Sequence, residues 1–339
     1  MDRIQSRMRQ RGLVMRFPCR PDQLIEAATP LDSIFTLAHF GIPEIETQQW
    51  TIRIDGMVRH SIVLTLDDVM RWPKRTVLAV HECAGNPLNP TEATRGVANV
   101  VWGGADLREI FEDAGIDSAA RFVWSYGVDH GEFGDIECES YLKDLPLDRL
   151  AKGDVILAYE MNRERLTVEH GAPVRLFVPG YYGTNSVKWL RRMTIADRRA
   201  DGPMTTVLYN DEAGPSRVGG RDSSSRPVWE IAPESVIVAP APNAELRAGK
   251  AVEIWGWAWA ARGIAHVEVS TDAGATYESA ELDDREQWSW QRFSYEWIPA
   301  SAGKVTVSCR ATDSDGATQP PTAARNSIHK TVVSVAIAH

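Results

Sequence analysis

The sequence lacks several features that would assign a function at once. No apolar run approaches the roughly 18 residues that a membrane-spanning helix needs. The 37 basic residues are outnumbered by 46 acidic ones, and a net charge of −9 leaves no basic field for a phosphate backbone. We therefore predict neither a membrane nor a nucleic-acid partner. The basic N-terminal segment has no apolar stretch behind it, which predicts a cytoplasmic location, or a periplasmic one if a leader peptide was removed.

Cysteine is scarce, and the common catalytic motifs are missing. The four cysteines, Cys19, Cys83, Cys138 and Cys309, are too scattered for a zinc-binding CxxC pair, a haem-attachment motif or a disulfide scaffold. The chain has no GxGxxG, GxxxxGK[ST] or HExxH motif, and VWSYG lacks the first glycine of a nucleophile elbow. A single reactive thiolate remains as a candidate.

The order of sequence patterns predicts two domains. TVLAVHECAG and RFVWSYGVDH read as strands, LTLDDVMRWP and GGADLREIFEDAGI as short helices, and SYLKDLPLDRL, DVILAYEMN and PVRLFVPG as alternating helix-like and strand-like pieces. Beyond a stretch rich in proline and alanine, five or more strands follow with regular turns, and six of the twelve tryptophans fall there. We predict the fold class α+β, with a mixed α+β domain at residues 1–232 and an all-β immunoglobulin-like sandwich at 233–339. The tryptophans are predicted in the core or an interface of that sandwich.

The first candidate for chemistry is VHECAGNP, residues 80–87. Cys83 lies where a strand gives way to small, turn-forming residues, which would let a soft metal or a substrate approach the sulfur. His81 shares a strand face with Cys83 and could act as its base. From these residues alone, a small buried core cysteine and a non-catalytic histidine remain the alternatives.

The second candidate is HGAPVRLFVPGYYGTNSVKWLRR, residues 170–192. It places an imidazole, a guanidinium, a hydroxyl and an ammonium (His170, Arg175, Ser186 and Lys188) on loops within 19 residues. Such a set suits an anionic phosphate on a cofactor. The alternative is a solvated loop with incidental charges.

These two segments resemble the sulfite oxidase family of molybdopterin oxidoreductases. VHECAGNP is similar to the family's molybdenum-ligand motif, usually CAGNRR, and residues 170–192 resemble its HGxPVRxxVPGxxGxxxVKWL segment nearly throughout. The C-terminal third, with WGWAWAARGIAHVEVSTDAGATYESAEL, resembles the family's dimerisation domain. The resemblance runs from about residue 35 to 320 in the right order.

The resemblance implies a molybdenum and molybdopterin cofactor with the following residue roles. Cys83 would be the thiolate ligand of molybdenum and a catalytic residue, and Tyr141 the active-site tyrosine that hydrogen-bonds an oxo group or the substrate. The family's contacts to the pterin and its phosphate fall on His39, Asp129, His170, Arg175, Ser186 and Lys188.

Two departures concern the substrate. Leu37 and Leu88 stand where the family has arginines that bind sulfite, and a buried dianion needs compensating cations. The expected reaction is therefore oxygen-atom transfer to or from a small substrate other than sulfite, unless Arg95 or His130 replaces the lost charge. No haem segment is readable, so we expect electrons to leave to a separate acceptor such as a cytochrome. A homodimer is also expected.

Two other classes of function stay open at this level. A non-catalytic binding or scaffold protein could keep the fold without the two arginines. A metal-free hydrolase that uses Cys83 and His81 is the other alternative, although no oxyanion hole is readable.

Overall fold

The computed structural model describes residues 12–87, 92–211, 226–322 and 325–337. The described residues form two compact units. The first contains the residues up to Arg16, Thr36–Val77 and Val101–Trp229. The second contains Phe17–Phe35, Leu78–Val100 and the described residues from Glu230 onward. Two early segments, one of which carries Cys83, thus belong to the same unit as the C-terminal strands, while the boundary at residue 232 stays a prediction.

Strands predominate over helices in the first two thirds of the chain. The strands up to Trp229 are β1 (Val14–Arg16), β2 (Thr36–Ala38), β3 (Thr51–Gly56), β4 (Ile62–Thr65), β5 (Lys74–Glu82), β6 (Val97–Asp106), β7 (Phe122–Gly127), β8 (Gly131–Phe133), β9 (Ile136–Cys138), β10 (Leu142–Pro146), β11 (Ile156–Met161), β12 (Glu164–Arg165), β13 (Arg175–Phe177), β14 (Leu190–Ala196), β15 (Asn210–Asp211) and β16 (Arg226–Pro227). The α-helices are α1 (Leu66–Arg71), α2 (Leu107–Ala114) and α3 (Pro203–Thr206). Short 3-10 helices are Pro21–Gln23, Leu31–Ser33, Thr47–Gln49, Leu147–Lys152, Val168–His170 and Gly183–Asn185.

The two helices predicted from the sequence are confirmed, and their ends have local causes. Thr65 and Asp68 form a capping box at the start of α1, since the Thr65 hydroxyl accepts from the Asp68 amide (3.2 Å) and the Asp68 carboxylate accepts from the Thr65 amide (3.0 Å). The Asp106 carboxylate caps the start of α2, and Gly115, with a φ of 70°, follows its last residue Ala114. Among the described residues, no helix is long and apolar enough to cross a membrane.

The prediction of a mixed α+β first domain is confirmed only in part, because helices are few. The segment SYLKDLPLDRL is a case in point. It forms β10, paired with β7, up to Pro146, and then the 3-10 helix Leu147–Lys152. Proline has no backbone N–H and fixes its own φ, so it cannot continue the ladder.

Two main sheets contain most strands of the first unit, although residues 78–82 of β5 and 97–100 of β6 belong to the second unit. One has the strand order β10-β7-β14-β3-β4, in which β14 runs parallel to β3 and the other pairs are antiparallel. The other has the order β12-β11-β6-β5, and β13 also pairs with β11. The loop between β13 and β14 carries Ser186 and Lys188, and the end of β7 leads into Asp129. Ser186, Lys188 and Asp129 therefore all lie at or beyond the ends of strands in this unit.

The second unit contains two sheets with one apolar core between them. Its strands are β17 (Glu234–Ala239), β18 (Glu245–Arg247), β19 (Val252–Trp259), β20 (Ile264–Ser270), β21 (Glu278–Ser279), β22 (Glu281–Leu282), β23 (Gln291–Trp297), β24 (Gly303–Asp313) and β25 (His329–Ala336). The strand orders are β17-β19-β23-β22 and β18-β25-β24-β20-β21. Buried residues of both sheets, such as Ile254, Phe293, Val267 and Val307, share a single cluster. Burial of this apolar surface is the main stabilising contribution to the sandwich.

Two of the clustered tryptophans contact an N-terminal segment of the second unit. Trp257 and Trp290 stack with ring centroids 4.8 Å apart. Their indole N–H groups donate to the carbonyl oxygens of Leu24 (2.6 Å) and Ala27 (3.0 Å). The sequence predicted tryptophans in a core or an interface, and these two act at the contact between the sandwich and residues 17–35.

Candidate functional site

Arg175 links the two loops that carry the second motif. As the first residue of β13, it pairs with Ala158 of β11. Its Nη1 donates to the carbonyl of His170 (3.0 Å) and its Nη2 to the carbonyl of Ser186 (2.8 Å). The guanidinium also lies 5.1 Å from the ring centroid of Trp102. One buried cation thus holds the turn of His170 against the turn of Ser186.

Arg175 is a buried cation and Lys188 is a half-buried one, and the hydrogen bonds of both go to neutral carbonyl groups. Lys188 Nζ donates to the carbonyl of Glu169 (2.8 Å), and no carboxylate lies within ion-pair distance of either cation among the described residues. The Nε atom of Arg175 is buried and has no hydrogen-bond partner among the residues that the structure describes. Burial lowers the pKa of Arg175 to about 9, and burial with the charge of Arg175 lowers that of Lys188 to about 7. Two cations without a carboxylate in direct contact suit an anionic group.

The two candidate histidines of the first unit, His39 and His170, are neutral at pH 7. Burial, followed by the charge of Arg175, lowers the pKa of His170 to about 3. Burial, followed by the charge of Lys188, lowers that of His39 to about 3. A ring nitrogen of His39 hydrogen-bonds the hydroxyl of Tyr209. The two rings therefore offer hydrogen bonds and not charge.

Tyr141 lies beside His39, but its hydroxyl contacts the loop. The ring centroids of Tyr141 and His39 are 5.3 Å apart. The Tyr141 hydroxyl hydrogen-bonds Thr184, with its carbonyl oxygen at 2.9 Å and its hydroxyl at 2.8 Å. Ser186 is also engaged, because its hydroxyl accepts from the Val178 amide (3.0 Å). The structure thus brings His39, Tyr141 and the loop of Ser186 together, and the substrate contact of Tyr141 stays a prediction.

Asp129 follows β7 and is almost completely buried. Burial raises the pKa of its carboxyl to about 7, against the charges of Lys188 and Arg191, which lower it. Gly127, two residues earlier, has no room for a side chain: a Cβ there would overlap Oδ1 of Asp129 and lie 3.0 Å from the carbonyl of Lys188. The absence of a side chain at residue 127 therefore allows Asp129 to approach the loop of Lys188.

We expect Gly127→Ala to lower the free energy of unfolding by about 1–3 kcal/mol, because the added methyl group displaces Asp129 or the Lys188 backbone. The φ of Gly127 lies outside the left-handed region, so steric overlap and not backbone strain is the cause. Urea unfolding measures the change. Tyr126→Phe on the same strand is the control and should stay within about 0.5 kcal/mol. Equal stability of Gly127→Ala and the wild type would contradict the overlap.

Cys83 belongs to the second unit, at the end of β5. Its amide donates to the carbonyl of Gly96 (2.8 Å), and its Sγ accepts from the amide of Gly85 (3.4 Å). A Cβ on Gly96 would lie 3.0 Å from the Cβ of Cys83, so this neighbour must be small. Burial raises the pKa of the Cys83 thiol to about 11. A thiolate at this position therefore needs a bound cation to stabilise it.

The remaining candidates have contacts of their own or lie outside the described residues. His81 is buried and stacks on Phe35, with ring centroids 5.1 Å apart. Arg95 is buried and donates from Nη1 to the carbonyls of Glu92 (2.6 Å) and Thr94 (3.2 Å). Leu37 is half-buried on β2, His130 is exposed, and Leu88 lies outside the described residues.

Sequence reasoning missed Tyr209, Thr184 and Gly127. Tyr209 reaches His39 across 170 positions, and a contact over that distance has no local sequence pattern. Gly127 and Thr184 stand inside or beside the motif regions, but their roles depend on which side chains the fold places next to them.

Comparisons with known proteins identify two family domains in this chain. Residues 39–204 match the oxidoreductase molybdopterin binding domain, and residues 225–333 match the Mo-co oxidoreductase dimerisation domain. Sulfite oxidase from Gallus gallus is 30% identical over 325 residues, which is 87% of this chain and 69% of that protein. Sulfite oxidase from Arabidopsis thaliana is 29% identical over 339 residues, 89% of this chain and 85% of that protein.

A solved structure extends the similarity over the whole fold. The sulfane dehydrogenase SoxCD from Paracoccus pantotrophus superposes with a TM-score of 0.78 at 26% identity, covering 99% of this chain and 92% of that one. The chain spans 55–69% of the length of the animal sulfite oxidases it matches. These findings give no support to a non-catalytic scaffold. The chain belongs to the sulfite oxidase family of molybdopterin oxidoreductases.

Proposed function

We propose that this protein is a molybdenum and molybdopterin-dependent oxidoreductase that transfers an oxygen atom to or from a small substrate. The observation that carries the proposal is the buried Arg175 together with the half-buried Lys188. Neither cation has a carboxylate partner within ion-pair distance among the described residues. A phosphate-bearing cofactor supplies the negative charge that these cations require. The family's molybdopterin is such a cofactor.

The candidate residues of the first unit fit the parts of that cofactor by their chemistry. Arg175 and Lys188 would hold the phosphate, with Ser186 as a further hydroxyl donor. The neutral rings of His39 and His170 would hydrogen-bond the pterin. Asp129, whose pKa burial raises to about 7, can accept from a pterin N–H group or donate to a pterin oxygen. When bound, the cofactor supplies the two-electron redox chemistry at molybdenum.

Cys83 is the proposed protein ligand of the metal. A sulfur ligand suits this site because a soft thiolate can hold a redox metal, which the pterin would also bind through sulfur. The metal would also reverse the effect of burial on the Cys83 thiol, whose pKa burial raises to about 11, and so keep it deprotonated. Tyr141 is proposed to orient the substrate through the hydroxyl that contacts Thr184.

The proposed substrate carries less negative charge than sulfite. Leu37 contributes an apolar side chain where the family has an arginine, and Leu88 replaces the second arginine in the sequence. Arg95 already donates to two carbonyl groups. A neutral sulfoxide or a related oxo acceptor can enter such a pocket without the cations that a dianion requires.

We also propose a separate electron acceptor and a homodimer. The match to a dimerisation domain over residues 225–333 supports the homodimer. The sandwich is proposed to have immunoglobulin-like connections, and the cytoplasmic location remains a proposal from the sequence.

A substrate panel with the purified holoenzyme tests this function. Molybdenum content is measured first, and then electron transfer to ferricyanide or a cytochrome with sulfite, thiosulfate, sulfoxides and nitrogen oxyanions. We expect kcat/KM for sulfite to lie at least about 30-fold below that for the best neutral substrate, the cost of leaving one buried charge unpaired.

Leu37→Arg is the matched variant, because it restores one cation. It should reduce the difference in kcat/KM between sulfite and the best neutral substrate. Sulfite as the best substrate of the wild type would refute the substrate class. Full molybdenum occupancy without electron transfer to any acceptor would instead favour a non-catalytic protein.

A further inference from the structure

The turn that carries Cys83 is connected to the sandwich through the side chain of Glu82. Glu82 is the last residue of β5 and is completely buried. Its Oε2 accepts from the indole N–H of Trp259 (2.7 Å), and its Oε1 accepts from Nδ2 of Asn86 (3.3 Å). One carboxylate therefore joins β19 of the sandwich to the fourth residue of the CAGN turn.

Asn86 continues this chain of hydrogen bonds to the cysteine. Its Oδ1 accepts from the amide of Gly96 (2.6 Å), and the carbonyl of Gly96 accepts from the amide of Cys83 (2.8 Å). Glu82, Asn86, Gly96 and Cys83 thus form a closed ring of side-chain and backbone contacts. Asn86 has 0% exposure, so water cannot replace these bonds without opening the turn.

Glu234 completes the environment of Glu82. It is buried on β17, and its carboxyl hydrogen-bonds Glu82. Burial and the neighbouring Glu82 raise the pKa of Glu234, so Glu234 is the protonated partner that donates. Both oxygens of Glu82 are used as acceptors, which a glutamine could not reproduce, because an amide has only one acceptor atom.

We propose that Glu82 is a positioning residue, which fixes the turn around Cys83 and thereby the direction of its sulfur. The role rests on the proposed function of Cys83 as a metal ligand. The positioning role of Glu82 can also be tested in metal-free protein, because the hydrogen bonds of Glu82 and Asn86 do not include the metal. Local opening of the turn is the event that Glu82 opposes.

The test is the rate at which iodoacetamide alkylates Cys83 in folded, metal-free protein, measured peptide by peptide by mass spectrometry. Cys309 is an internal reference, since it is completely buried in the sandwich core of the same unit and accepts from the Ser235 hydroxyl (3.3 Å). We expect Glu82→Gln to accelerate alkylation of Cys83 about tenfold, equivalent to about 1.4 kcal/mol. The rate at Cys309 should change less than about twofold.

Glu234→Gln is the matched control. Its amide can still donate to Glu82, so both cysteines should keep their rates. Equal acceleration of Cys83 and Cys309 in Glu82→Gln would mean general destabilisation and overturn the proposal, as would an unchanged rate at Cys83.

If Glu82→Gln does not fold, Asn86→Ser is measured in the same way, since it removes the link between Glu82 and Gly96, and the same selective acceleration is expected. In the holoenzyme, Glu82→Gln should also shift the thiolate-to-metal absorption band. Failure of metal binding in the wild type would refute the ligand role of Cys83 without changing the alkylation result.

Discussion

Cys83→Ser protein is expected to lose the thiolate-to-molybdenum absorption band and to turn over substrate more than about 100-fold more slowly. Loss of a residue that only supports a metal ligand already costs about 10- to 100-fold in affinity or activity, and Cys83 is proposed as the ligand itself. Serine is a hard, weakly acidic ligand and a poor substitute for a soft thiolate. The ultraviolet-visible spectrum, the molybdenum content and steady-state turnover measure the effect.

Cys19→Ser is the matched control for this substitution. Cys19 is also buried in the second unit, and its thiol donates to the carbonyl of Ser33 (3.5 Å), a bond that a serine hydroxyl can make. The control should retain the band and the turnover of the wild type. An unchanged spectrum and unchanged activity in Cys83→Ser would remove Cys83 from the site.

Lys188→Met is expected to have opposite effects on cofactor binding and on stability. Loss of one charged hydrogen bond to a phosphate weakens cofactor binding by about 10- to 100-fold. In the cofactor-free protein, however, the ammonium is a half-buried cation without a carboxylate within ion-pair distance among the described residues. Its replacement by an apolar side chain of similar length should raise the free energy of unfolding by about 1–3 kcal/mol. Cofactor release and urea unfolding measure the two effects.

The pH dependence of the wild type gives the same prediction an independent readout. Burial and Arg175 depress the pKa of Lys188 from 10.5 to about 7 in the folded chain. The unfolded chain therefore holds more protons between these values, and the stability of the cofactor-free protein should rise with pH across this window. Cofactor binding requires the protonated ammonium and should weaken over the same window, by up to about tenfold per pH unit.

In Lys188→Met, the free energy of unfolding and the affinity for the cofactor should both change less with pH than in the wild type. Arg191→Met, three residues further on and exposed, is the control for general electrostatic attraction and should change neither slope. If Arg191→Met weakens cofactor binding as much as Lys188→Met does, the effect is a long-range attraction and not a contact at Lys188.

The short helices, many of the strands and the candidate site residues can be predicted from the sequence. The capping box at Thr65, the glycine after α2 and the alternating strands use interactions between residues close in the chain, so their patterns can be read directly. The two long motifs also identified the family. Helix content in the first domain was predicted too high, because short apolar segments fit helix and strand equally well until their pairing is known.

The protonation states of the candidate residues depend on the tertiary structure. The sequence shows a lysine, an arginine and two histidines in the right motifs. Burial makes both histidines neutral and lowers the pKa of Lys188 to about 7. Desolvation depends on the packing around each side chain, which no local pattern encodes.

By itself, the sequence determined the family and the cofactor class, and it supplied the candidate residues for the cofactor, because contiguous motifs carry all three. Only the tertiary structure decided which distant side chains support those residues. Tyr209 reaches His39 across 170 positions, and Trp259 reaches Glu82 across 177. Such contacts arise when separate strands pack around a common core, and the separation leaves no signature in either segment.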